Sequence, residues 1–292
     1  MRRSKISHFL VFMLPAALLI GIFVVYPSIR TAILSFFDEQ GHFTLKNYVA
    51  VLSSGDTINK EGIARGEFPL GTLLHNAIWI ALHLPLTIFV GLILAVILRK
   101  TWGGNLLKTF VFFGMVMPMI VGGVMINFMF DANVGIINAL FKLLGLPVKT
   151  WTAHPETALF ALIFGSVWLW TGFSMTLYSA GLETIPKDFY EAAAIDGAGP
   201  IVQFFKITVP LLRPITVVVA TMTLLWDLKI FDIVYVATQG GPGGASNVLA
   251  IQMYNYAFIE FDYGKAAVVA VLLTLFTMIA AIPLIKTAGD ER

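Results

Sequence analysis

The chain has 292 residues, of which 58% are hydrophobic and only 12% are charged. A soluble globular domain carries about 25% charged residues, so this composition excludes a soluble protein with buried helices, which would lack the polar surface to cover them. The net charge of +2 is too small to indicate nucleic acid, and the lack of Cys excludes disulfides, thiolate metal sites and a Cys nucleophile.

Six apolar segments are long enough to cross a bilayer, which takes about 20 mostly apolar residues. The continuous runs favour helices over barrel strands, whose residues alternate over about 10 positions, and a helix satisfies its own backbone hydrogen bonds in lipid. We therefore predict an all-α membrane protein, a single domain over residues 1–292 with six transmembrane helices and a short cytoplasmic helix between spans four and five. The predicted spans are residues 9–27, 73–98, 107–130, 158–182, 211–236 and 266–285.

The first apolar run has a second interpretation as a cleavable signal peptide, because Arg2, Arg3 and Lys5 precede it. The run continues beyond the usual length of a signal peptide's apolar core, and no good small-residue cleavage site follows it. We predict a retained first span.

Orientation follows from Lys and Arg in short loops, which are enriched on the cytoplasmic side. The positive loops all fall on one side of the six predicted spans, so both termini are expected to be cytoplasmic. The outer loops are long and rich in turn residues, such as Gly240–Gly244, and the loop 53–70 fits no pattern. The cations that set this orientation are Arg2, Arg3, Lys5, Arg99, Lys100, Lys108, Lys187, Lys206, Arg213 and Lys286.

The cytoplasmic segment 183–210 predicts two short helices with a glycine break. Thr184 is an expected N-cap, and the first helix runs from Lys187 to Asp196. The second runs from Ile201 to Ile207. The alanines at 192–194 leave one side of the first helix bare, so the groove of another protein can approach closely. The alternative, an amphipathic helix lying on lipid, is disfavoured because the faces carry alanines and acids rather than Leu and Lys.

This segment resembles the EAA motif of permease subunits of binding-protein-dependent ABC importers. A second match, Leu228 to Asp232 followed by Thr238 and Gly240-Gly241-Pro242, is similar to the carbohydrate-uptake branch of the maltose and glycerol-phosphate type. A weaker third match is Asn76, Pro118 and Gly135-Ile-Ile-Asn138, and together the matches cover about residues 70 to 285. The residues of the EAA resemblance are Glu191, Ala192, Ala193, Asp196, Gly197, Ala198, Phe204 or Phe205, Ile207, Pro210 and Pro214.

The resemblance implies a specific set of partners. A second permease subunit would complete the pathway in the lipid membrane, two cytoplasmic ATPase subunits would grip the EAA segment, and an extracytoplasmic sugar-binding protein would deliver the substrate. ATP and Mg would be used by the partner ATPase, and this chain would bind no cofactor and no nucleic acid. The residues that would couple to the ATPase are Glu191 as polar anchor, Ala192, Ala193, Asp196, and Gly197 as the bend.

The residues themselves favour a permease over an enzyme. The nearest candidate for a phosphate-binding loop, Gly103 to Thr109, has Leu107 where a Gly must precede Lys108. No cluster has metal-ligand spacing, and His75 and His83 are assigned to the pathway or to packing. The alternative class is an ion-coupled secondary transporter, which would need an acidic relay within its core.

Polar residues in the spans are candidates for the pathway or its outer gate. Lys229 and Asp232, near Asp227 in the outer half of the fifth span, are three residues apart and are expected to share a helix face and pair. A charge at mid-bilayer costs roughly 2.5–3.5 kcal/mol on insertion scales, so the pair is either an interfacial anchor or a lining that contacts sugar hydroxyls. Further pathway candidates, for which packing is the alternative role, are Asn76, Asn127, Trp168 and Trp170.

Overall fold

A computed structural model describes residues 12–38, 40–99 and 101–290. Within these ranges the regular structure is helical, and the only β interaction is a bridge between Phe37 and Phe43. The predicted all-α fold class is confirmed. The first residues of the predicted first span, the cations at 2, 3 and 5, and Lys100 lie outside the described residues.

Among the described residues, four helices are individually long and apolar enough to cross a membrane, and two bent helix pairs bring the candidate crossings to as many as six if each pair is one crossing. The four are α1, α4, α8 and α14, and the bent pairs are α5 with α6 and α10 with α11. In chain order the helices are α1 (Phe12–Leu34), α2 (Lys46–Ser53), α3 (Lys60–Arg65), α4 (Thr72–Leu98), α5 (Gly104–Val116), α6 (Met119–Met129), α7 (Ile136–Leu143), α8 (Pro155–Thr184), α9 (Lys187–Ile195), α10 (Pro200–Leu211), α11 (Arg213–Leu228), α12 (Asp232–Ala237), α13 (Leu249–Tyr254) and α14 (Tyr263–Asp290).

The third predicted span is not one straight helix. Its two parts, α5 and α6, meet at 107°. Met117 is extended, at φ −71° and ψ 140°, because the ring of Pro118 disfavours a helical residue before it and proline offers no backbone N–H. With 13 residues, α5 is about 20 Å long, which is shorter than the bilayer core of about 30 Å. The crossing is therefore shared with α6.

The fifth predicted span, residues 211–236, is also divided. Its helix α11 ends at Leu228, and α12 begins at Asp232. No Pro or Gly marks this break. The side-chain amide of Asn76 on α4 donates to the backbone carbonyl of Asp227 at 3.3 Å, so a tertiary contact satisfies a carbonyl that a continuing helix would use.

The prediction that Lys229 and Asp232 share a helix face and pair is wrong, because the two residues lie on opposite sides of this break. Lys229 follows the end of α11, whereas Asp232 begins α12. Among the described residues, neither side chain has an ion-pair partner within 4 Å.

The central helix of the bundle is α8, which contacts α4, α5, α6, α11 and α12. Its pairing with α4 is the most extensive in the described fold. The two helices approach closely at Gly91, where an added Cβ would lie 2.4 Å from the Cβ of Ser174. The sixth crossing, α14, packs against α1, α11 and α13.

The bundle has two distinct ends. At one, which we call the coupling end, Arg99, Leu182 and Pro200 line the same cavity. At the other, residues 54–71 fold over the start of α4 and contact α13; we call this segment the outer cap, after the side of the membrane on which the sequence predicts it. Thr57 of the cap accepts a hydrogen bond from Gln252 at 2.8 Å, so the cap is joined to the bundle.

Candidate functional site

The helix α9, which we call the coupling helix after its predicted role, lies at the coupling end and contains Glu191, Ala192 and Ala193 of the EAA resemblance. It ends with the backbone pattern of a glycine C-cap. Gly197 has φ +80°, the N–H of Ala198 donates to the carbonyl of Ala193 at 2.8 Å, and the N–H of Gly197 donates to that of Ala194 at 3.0 Å. The positive φ favours glycine at 197.

The start of the coupling helix differs from the prediction. Pro186 occupies the N-cap position without a side-chain cap. The hydroxyl of Thr184 donates instead to the carbonyl of Gly181 in the last turn of α8, at 2.8 Å. The N-cap assignment of Thr184 is therefore wrong, although the helix begins at Lys187 as predicted.

The outward face of the coupling helix is open to solvent. Glu191, Ala192, Asp196 and Gly197 are exposed, and Ala193 is half-buried. Large apolar side chains lie beside them. An exposed apolar patch next to charged groups is typical of a protein-binding surface. The exposed apolar side chains are Phe189, Ile195, Ile201 and Phe205, and of these Ile195 is 87% exposed.

The inward face of the same helix is fixed to the bundle. The hydroxyls of Tyr190 and Thr208 lie 2.9 Å apart, and the side-chain amide of Gln203 donates to the carbonyl of Ala198 at 2.9 Å. Tyr190 and Phe204 pack against a buried cluster at the ends of α4 and α8, including Leu98 and Leu182. These contacts surround a cavity of about 550 Å³. The coupling helix is therefore packed against the ends of α4 and α8.

Asn76 and Asn127 bind the backbone rather than each other. The Asn76 side-chain oxygen accepts the N–H of Leu249 at 2.8 Å, and its nitrogen donates to Asp227. Asn127 donates to the carbonyl of Ala237 at 3.3 Å and accepts the hydroxyl of Thr152 at 2.8 Å. Asn76 is buried and Asn127 is exposed, and the hydrogen bonds of both go to the backbone between residues 227 and 249.

A cavity of about 340 Å³ lies beside Asn127 and is lined also by Asp131. The backbone N–H of Asn133, and then that of Val134, donate to the Asp131 carboxylate and lower its pKa. This carboxylate is therefore a negative charge just after the end of α6 at Met129.

Lys229 and Asp232 are exposed, and the structure does not bring them together with the two asparagines. Lys229 lines a cavity of about 360 Å³ with Met253 and Thr277.

Trp168 and Trp170 are both half-buried on α8. Trp170 stacks on Trp226 with ring centroids 4.8 Å apart and donates to the Thr223 hydroxyl at 2.8 Å.

One pair of ionisable side chains was not predicted. Nδ1 of His83 on α4 lies 2.7 Å from Oδ1 of Asp227 on α11, and both side chains are completely buried. The sequence shows each residue as an ionisable group within a span. Because 144 positions separate them, only the packing of α4 against α11 reveals the contact.

A second buried imidazole, that of His75, binds the outer cap to the bundle through hydrogen bonds. Nε2 of His75 accepts the backbone N–H of Leu70 at 2.9 Å. Nδ1, which then carries the proton, donates to the carbonyl of Asn247 at 2.7 Å. The ring of Phe68 stacks on this imidazole. His75 is thus a packing residue in this structure, one of the two roles that the sequence left open.

Comparison with known proteins places the chain in a family. Residues 87–290 match the family described as the inner membrane component of binding-protein-dependent transport systems, and the chain belongs to it. A probable ABC transporter permease of Pyrococcus horikoshii is 55% identical over 99% of this chain and 100% of its own length. The trehalose/maltose transport system permease of Thermococcus litoralis is 30% identical over 100% of this chain and 96% of its own.

A solved structure shares the fold. A chain of a bacterial ABC transporter that imports the polysaccharide alginate superposes with a TM-score of 0.80, at 17% identity, over 100% of this chain and 98% of that chain. The protein is therefore a multi-pass membrane permease of an ABC importer that works with a binding protein. The predicted class is confirmed, and the ion-coupled alternative is dropped.

Proposed function

We propose that this chain, with a second permease subunit, encloses the pathway of an ATP-driven sugar importer. Two cytoplasmic ATPase subunits grip the coupling helix, and an extracytoplasmic sugar-binding protein presents the substrate at the outer cap. ATP and Mg are bound by the ATPase subunits. The observation that carries this proposal is the coupling helix itself, with its open outward face and its fixed inward face.

The mechanism follows from these two faces. The exposed patch around Ala192 and Ile195 offers apolar contact to a partner groove, and Glu191 adds a polar anchor. When the ATPase subunits close, they displace the coupling helix. The contact between Tyr190 and Thr208 and the packing at Leu98 and Leu182 carry that displacement into α4 and α8. The bundle then changes which end of the pathway is open.

The arrangement of the chain supports two cytoplasmic termini. Leu34, at the end of α1, and Tyr263, at the start of α14, line one cavity together with Tyr254. This cavity lies at the end of the bundle that carries the outer cap. Since α1 runs toward that end and α14 runs away from it, Phe12 and Lys286 lie toward the coupling end, the side of the ATPase subunits.

The substrate class is inferred from the relatives. One is the trehalose/maltose permease already described. Another, named as an alpha-glucoside transport permease of Rhizobium meliloti, is 33% identical over 96% of this chain and 82% of its own length. These names support a carbohydrate or a glycoside as the solute.

We assign the pathway candidates two roles. Lys229 and Asp232 are exposed on either side of the break between α11 and α12, and they are suited to line the pathway or its outer gate. Asn76 and Asn127 position the backbone of that gate through their hydrogen bonds to residues 227, 237 and 249.

The test is Ala192→Trp, which adds a large ring to the outward face of the coupling helix. Because Ala192 is exposed, the permease should fold and insert normally, while ATP-driven uptake in vesicles containing all subunits should be lost. Gly197→Trp is a poorer test, because φ +80° would strain any larger residue there. The control is Leu106→Trp, an equally bulky change at an exposed position of α5. Normal uptake by Ala192→Trp would refute the coupling assignment.

A further inference from the structure

The buried pair of His83 and Asp227, which we call the His–Asp clamp, lies within two of the predicted membrane spans, and His83 is near the middle of α4. His83 is 15 residues from the coupling end of α4 at Leu98, or about 22 Å along the helix, and about 17 Å from the other end at Thr72. Asp227 is about 21 Å from the start of α11 at Arg213. Ionisable side chains at this depth are costly and mark functional positions.

The polar atoms of the clamp are poorly satisfied. The contact at 2.7 Å is short enough for an ion pair, yet among the described residues neither ring nitrogen of His83 and neither carboxylate oxygen of Asp227 has a hydrogen-bond partner of good geometry. Nε1 of the neighbouring Trp79 is buried as well, and in the described part of the chain it too lacks a hydrogen-bond partner of good geometry. Buried polar groups without partners cost free energy, so packing stability alone does not explain these residues.

Aromatic side chains lie next to the His83 ring of the clamp. The His83 ring lies 5.3 Å from the ring of Trp226 and 6.2 Å from that of Trp79, measured between centroids. All atoms of the His83 and Asp227 side chains are shielded from solvent. Leucines of similar volume in place of such a pair are often neutral or stabilising in other proteins. The pair is therefore better explained by a step that it controls than by its contribution to stability.

The clamp sits at the break in the fifth crossing. Asp227 is the last residue but one of α11, and α4 holds it twice, through His83 on the carboxylate and Asn76 on the backbone carbonyl. Two residues beyond it, Lys229 is exposed and lines a cavity with Met253 and Thr277. The end of α11 is thus fastened to α4 where the helix breaks between Leu228 and Asp232.

We propose that the His–Asp clamp holds the outer half of the fifth crossing against α4 in the closed state, and that the pair must separate for the outer side to open. His83 is then a positioning residue, which acts through Asp227. This inference rests on the transport function proposed above, because a clamp of this kind matters only where α4 and α11 move relative to each other.

The absence of Cys from the chain makes a direct test practical. Ala237 at the end of α12 is buried and follows the break, so Ala237→Cys reports opening through its reaction with a membrane-impermeant maleimide. The assembled complex, isolated by size exclusion and free of ATP, should label slowly. With His83→Ala added, labelling should be at least about tenfold faster, because removing one partner of a buried pair strongly destabilises the closed arrangement.

The matched control is Thr87→Ala, one turn along α4. Thr87 is equally buried, but its hydroxyl bonds only to carbonyls of its own helix, including that of His83 at 2.9 Å. Thr87→Ala should leave the labelling rate of Ala237→Cys unchanged. If His83→Ala does not assemble, His83→Asn keeps a polar side chain and should label at an intermediate rate. Labelling of either assembled His83 variant at the parental rate would overturn the clamp, without bearing on the coupling helix.

Discussion

At the scale of single residues, the coupling end depends on one backbone conformation. Gly197 at φ +80° closes the C-cap of α9 and turns the chain toward α10. Gly199, two residues later, has an ordinary φ of −70°. Neither glycine would place a new Cβ within 4 Å of a neighbour, so conformation alone distinguishes them.

Gly197→Ala should therefore lower stability by about 1 kcal/mol, the cost of a left-handed conformation for a residue with a Cβ. Gly199→Ala should be close to neutral. Thermal unfolding of the two purified variants in detergent measures the difference. Equal melting temperatures would show that the left-handed turn does not limit stability.

At the scale of helices, the sequence predicts long continuous crossings well and broken ones poorly. The predicted spans 73–98 and 158–182 lie within α4 and α8, because unbroken apolar runs of that length have few alternatives to a helix. The bend at Pro118 has a local signal that length-based counting ignored. The break after Leu228 has none, since it depends on Asn76 from a distant helix.

The close contact of α4 and α8 provides a test at this scale. Gly91→Ala would place its Cβ 2.4 Å from Ser174, and the overpacking should destabilise the protein by about 1–3 kcal/mol. Gly21→Ala on α1, where no neighbour lies within 4 Å, is the matched control. A Gly91→Ala protein that melts with the parent would mean that α4 and α8 are less tightly packed than the structure shows.

At the scale of the whole molecule, a separate segment is bound to each end of the bundle. The outer cap is bound to α4 and α13 through Leu70, Thr57 and Gln252, while the coupling helix is bound to the opposite ends of α4 and α8. The long helix α4 takes part in both, and it also carries the clamp at its middle. The coupling helix could be predicted from the sequence because its residues are contiguous. The clamp and the cap could not, because each joins residues far apart in the chain.

The central claim is that a cytoplasmic ATPase subunit grips the coupling helix, and cysteine crosslinking tests it most directly. In the importer assembled with ATPase subunits that carry single cysteines along their membrane-facing groove, Ala192→Cys should crosslink to the ATPase, because Ala192 lies on the open face of α9. Gly55→Cys in the exposed outer cap should not. Crosslinking from Gly55→Cys but not from Ala192→Cys would place the ATPase at the wrong end of the bundle and contradict the account.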